Sequence, residues 1–115
     1  MNTKSPECYT TDTQARCLRV EVKTGHFLVM PLDQFVFAEL TSEDKEQTLR
    51  LVFATHEILI FGHVLRRIET AIHRLELSGI MKLPEKYHAV IAENDPRIRE
   101  IVVTENKPRD LAIET

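Results

Sequence analysis

Glycine is scarce in this 115-residue chain, with Gly25, Gly62 and Gly79 the only three. A phosphate-cradling loop needs several closely spaced glycines so that backbone N–H groups can reach the anion. P-loop, kinase-like and Rossmann chemistry are therefore set aside. Cysteine is scarcer still. Cys8 and Cys17 are spaced as neither a zinc knuckle nor a Cys-x-x-Cys redox pair, and they read as two free thiols in a reducing compartment. Tryptophan is absent. No apolar run approaches the roughly 20 residues of a membrane-spanning helix. The first residues, with Lys4, Glu7 and Asp12, lack the apolar stretch of about 7–15 residues that a signal peptide uses. These absences predict a cytoplasmic protein with no membrane partner.

Positive charge is also in short supply. Fifteen Lys and Arg against 18 Asp and Glu give a net charge of −3. The isoelectric point of about 5.9 lies far below the value above ~9 typical of a nucleic-acid-binding domain, which argues against a nucleic-acid partner. What is present suits one soluble domain. Hydrophobic residues make up 43% and charged residues 29%, and a chain of this length buries roughly two-thirds of its unfolded surface.

Alternation marks the strands. Leu18, Val20 and Val22 point one way and Arg19, Glu21 and Lys23 the other. Thr24-Gly25 is a turn signal, and His26 to Met30 follows as a short strand with both faces apolar, completing a hairpin. After Pro31, Gln34 to Leu40 reads as a strand covered on both sides, and Thr41 to Glu46 as a charged turn. Leu49, Leu51 and Phe53 then share a face, but Ile58 and Ile60 follow on the opposite parity. The chain must turn or bulge near Ala54 to Glu57, because a one-residue slip exchanges the two faces of a strand. Glu57 to Phe61 therefore returns antiparallel to Leu49 to Phe53.

Leu65, Ile68, Ile72 and Leu75 recur at helical spacing. Ser78-Gly79 supplies a stop signal, so a long amphipathic helix is expected over 64–78. Pro84 opens a shorter helix over 85–92, Asn94-Asp95-Pro96 ends it, and Ile98 to Val103 forms a closing strand. The fold expected is α+β: an antiparallel sheet of about five to six strands packed on one long helix. Residues 1–14 read as a polar flexible leader, 15–103 as the single domain, and 104–115 as a loosely ordered charged tail.

Chemistry is hard to find. His56 and His63 flank one strand, and seven residues at roughly 3.3 Å each separate them by about 23 Å, far more than the ~2.1 Å bonds of a shared metal. An enzyme or metal site using His56, Glu57 and His63 is the third-ranked reading, and neither a metal nor a cofactor is expected. No Gly-x-Ser-x-Gly elbow is present, and Glu39, the carboxylate nearest an apolar run, reads as edge-exposed rather than as a buried general acid.

The helix offers a surface feature instead. Arg66, Arg67, His73 and Arg74 collect opposite its apolar stripe. This is the solvated side of an amphipathic helix and also the candidate contact for an anion or an acidic partner. Phe27, Phe35, Phe37, Phe53 and Phe61 all lie in strands and read as core. One long helix covers only one face of a sheet, whereas several strands are apolar on both. The shorter helix can cover the other face, the sheet can curl into a half-barrel, or a homodimer can bury the surplus, and the homodimer is the preferred solution. The leading reading is thus a small non-catalytic binding or assembly module that self-associates, followed by a domain holding a small apolar ligand in a pocket between sheet and helix.

Overall fold

Two-residue alternation governs nearly the whole chain, and it builds two sheets rather than one. The computed structural model describes residues 7–83 and 94–106. Among these described residues, eight strands and one α-helix run in the order β1 (Tyr9–Thr11), β2 (Cys17–Lys23), β3 (His26–Pro31), β4 (Phe35–Glu43), β5 (Glu46–Phe53), β6 (His56–His63), α1 (Arg66–His73), β7 (Leu77–Met81) and β8 (Arg97–Glu105). The first sheet has strand order β1-β7-β2-β3 and the second β4-β5-β6-β8. A single 3-10 turn, Leu32–Gln34, links the sheets between β3 and β4.

The α+β expectation is therefore corrected. The described residues are mostly β, and no sheet lies on a long helix. The helix expected over 64–78 spans only Arg66–His73. It stops because Leu75 adopts φ 57°, with its N–H donating to the Ile72 carbonyl and the Glu76 N–H donating to the Ala71 carbonyl, both at 2.9 Å. That pair of bonds is the Schellman stop, usually built around glycine. Ser78 and Gly79, expected to end the helix, lie inside β7.

Magnitudes explain the choice. Leu77 and Ile80 are buried as β7 threads between β1 and β2. Two buried aliphatic side chains are worth about 3–6 kcal/mol, against about 1–2 kcal/mol for one non-glycine residue in the left-handed region. Leu75 itself is 47% exposed. The helix entry is similar: Val64 takes φ 56°, and the following Leu65 N–H is held by Gln47 Oε1 at 2.7 Å.

Other elements follow the alternation closely. Thr24 and Gly25 connect β2 to β3, and Gly25 supplies φ 80°. The change of phase after Phe53 is a two-residue hairpin, with Leu51 opposite Ile58 and Leu49 opposite Ile60. β4 runs further than expected, to Glu43, so the charged turn narrows to Asp44 and Lys45.

Tyr9–Thr11, within the stretch read as a leader, pairs with β7 as β1. Thr104 and Glu105, read as the start of the tail, close β8. The short helix expected over 85–92 and the tail from 107 onward lie outside the described residues.

Both sheets and the helix share one core. Leu18, Val20 and Ile80 come from the first sheet, Leu49, Leu51, Phe53, Ile58 and Ile60 from the second, and Ile68 and Ile72 from α1.

Candidate functional site: an uncovered strand edge

A sheet edge carries a row of unpaired backbone N–H and C=O groups, and proteins protect such edges with shortness, charge, proline or bulges. Among the described residues the four edges are β1, β3, β4 and β8. β1 is only three residues long. β4 has a register shift between Phe35 and Phe37 and carries Glu39 and Glu43. The β6–β8 pairing shifts at Phe61/Gly62, and β8 carries Arg97, Arg99, Glu100 and Glu105. β3 has the sequence His26-Phe27-Leu28-Val29-Met30-Pro31. It contains no Lys, Arg, Asp or Glu, and its only proline is its last residue.

The side chains of β3 divide by parity. Met30 is buried and Leu28 packs against the core, whereas Phe27 is 44% and Val29 56% exposed. Antiparallel pairing sets Glu21 opposite Phe27 and Arg19 opposite Val29. The Arg19 guanidinium lies over the Phe27 ring, 4.2 Å from its centre, and a Glu21 carboxylate oxygen accepts from the Gly25 N–H at 3.2 Å. Beside them, Gly79 leaves a shallow concavity of about 320 Å³ that Arg19, Phe27 and Met81 help to line.

The expectation that all five phenylalanines are core is corrected here. Phe53 is buried and Phe35 packs on it edge to face, ring centres 5.5 Å apart. Phe27 and Phe37 are exposed, each beneath an arginine. The signal was in the hairpin: a Thr24-Gly25 turn pairs Phe27 and Val29 with Glu21 and Arg19, the solvent-facing residues of β2.

The other candidates lie on other elements. Arg66, Arg67 and His73 are exposed on α1 with Arg74 at its C-cap, and Arg67 binds Asp95 at 3.2 Å. His56 and His63 sit at opposite ends of β6. The His56 Nδ1 is 2.7 Å from Thr55 Oγ1, while Glu57 is held by Arg50. The candidate metal-site trio is thus not gathered at one point, and among the described residues no group of three His, Cys, Asp or Glu is placed to hold an ion. Hydrogen bonds from Arg99 hold the Glu46 carboxyl below its usual range. Among the described residues no helix is long and apolar enough to cross a membrane.

Both cysteines are free, Cys8 buried and Cys17 exposed. Cys8 donates weakly from Sγ to the Pro96 carbonyl at 3.4 Å, and burial pushes its thiol from 9.0 up to about 12. Because the folded value is raised, this contribution to stability is full below pH 9 and is lost as pH rises toward 12. At pH 8 a water-soluble thiol reagent is expected to titrate Cys17 rapidly and Cys8 only after denaturant is added. Two rapid equivalents from native protein would refute that placement.

No protein-family model, no curated protein and no solved structure matches this chain.

Proposed function

We propose that this chain is a non-catalytic assembly module that self-associates. The observation that carries the proposal is β3, an uncharged edge strand holding Phe27 and Val29 in solvent. Uncovered β-strands of this composition pair with other chains, and burial of apolar surface drives most protein association. A second copy is always available as a partner, and closed two-fold dimers are the commonest such assembly.

The module contributes an interface rather than a reaction. Its polar side chains support that division, since Arg50 joins Glu39 and Glu57, Arg99 joins Glu46 and Glu100, and Arg67 joins Asp95. Each of these three arginines is held by a neighbouring carboxylate.

Light scattering over a hundredfold range of concentration tests the proposal. A mass near twice 13.3 kDa, falling to the monomer on dilution or in a Phe27→Ser/Val29→Ser variant that stays folded, is the expected result. A native protein that remains monomeric at every concentration would overturn it.

A further inference from the structure

The self-association proposed above leaves open how two copies meet, and here the residues around β3 are selective. We infer that β3 pairs antiparallel with β3 of a second copy about a two-fold axis through Leu28, joining the two β1-β7-β2-β3 sheets into one of eight strands. This inference rests on the assembly reading and adds its register.

The three antiparallel registers centred on Phe27, Leu28 or Val29 keep the outward residues on one face, and they differ in what they oppose. Centred on Phe27, the pairing sets Phe27 against the partner's Phe27 and leaves Val29 against the partner's Gly25, a turn residue without a side chain. Centred on Val29, it sets Phe27 against the partner's Pro31, which has no N–H to give to a ladder. Centred on Leu28, Phe27 meets the partner's Val29 and Val29 meets the partner's Phe27. Aromatic against β-branched is a favourable cross-strand pair, and it is formed twice.

Charge selects the same register. Arg19 neighbours Val29 and Glu21 neighbours Phe27 on the adjacent strand. With Leu28 on the axis, each row across the joint sheet reads Arg19, Val29, the partner's Phe27, the partner's Glu21, with one cation and one anion. Centring on Phe27 instead gives a central row ending in two glutamates, and centring on Val29 gives one ending in two arginines. Below the sheet, Leu28 meets the partner's Leu28, extending the core side of β3 across the axis.

Two substitutions and their mixture test the register. Phe27→Lys and Val29→Glu, each alone, set a charge against an apolar residue at both symmetric positions. Each is expected to raise the dimer dissociation constant at least about tenfold, or about 1.4 kcal/mol. An equimolar mixture allows a heterodimer in which Lys at 27 faces the partner's Glu at 29 while the other pair is native. That mixture is expected to dimerise at least about fivefold more tightly than either variant.

A monomeric native protein overturns the assembly reading and this inference with it. A native dimer whose single variants still dimerise, or whose mixture shows no recovery, overturns the register and leaves self-association standing. Hydrogen exchange on the unaltered protein gives a reading independent of variant folding. Amides of β3 should gain protection as concentration rises, and a dimer that protects only other strands overturns the inference.

Discussion

Gly62→Ala is expected to remove at least about 3 kcal/mol of stability. An added Cβ would stand 2.0 Å from the Arg97 carbonyl oxygen and 3.1 Å from the Ile98 Cα. Both are backbone atoms of β8, so no side-chain rotation can relieve the clash. Relief means parting β6 from β8 where their register already shifts, between Phe61 and Gly62. Gly25 is the internal control: it has open space around its Cα, so Gly25→Ala meets only the cost of its positive φ, about 1 kcal/mol. Urea unfolding of both variants is the measurement. A Gly62→Ala protein within about 1 kcal/mol of the parent would mean that the two strands are not held this closely.

Phe53→Ala is expected to cost about 3–5 kcal/mol, the usual range for emptying a buried aromatic site. Phe53 is 1% exposed, faces Phe35, and ends β5 where the chain turns into β6. The matched substitution Phe27→Ala should cost only about 1 kcal/mol in the monomer, because that residue is already 44% exposed. The difference between two Phe→Ala changes on similar strands is the informative quantity. It is read from denaturant midpoints at concentrations too low for association. Equal losses would place Phe27 in the core and remove the uncovered edge from consideration.

The strands were legible because alternation is local. Leu18 to Lys23, Leu49 to Phe53 and Ile58 to Ile60 disclose their buried face within a few residues, and the two-residue turns fix their partners. The helix was legible only at Leu65, Ile68 and Ile72. Its true end depends on β1 and β2, which compete for Leu77 and Ile80 from more than fifty residues away. No local pattern records that competition, so the apolar spacing that continues to Leu75 misleads.

Sheet number was hidden for a related reason. Helix and sheet faces both read as apolar stripes, and nothing in β4 states that it opens a second sheet instead of joining β3. As for the candidate site, the basic helix face drew attention because charge is conspicuous. The β3 edge stands out only when an absence of charge is compared with the protection given to β1, β4 and β8.

The position of β7 also sets an order of events in time. β4, β5 and β6 pair in sequence order through tight turns, with β8 added to β6 from further along the chain, and such local contacts close fastest. β1 has no partner until β7 is in place, since Tyr9 pairs with Ile80. β1 is thus made well before its partner strand and docks late. Pulse-labelled exchange should show β4–β6 protected before β1, and simultaneous protection would contradict this sequence. Until β7 arrives, the β2–β3 hairpin is a ribbon open on both sides, and the edge that is later to recognise another copy is at its most exposed while the chain is still folding.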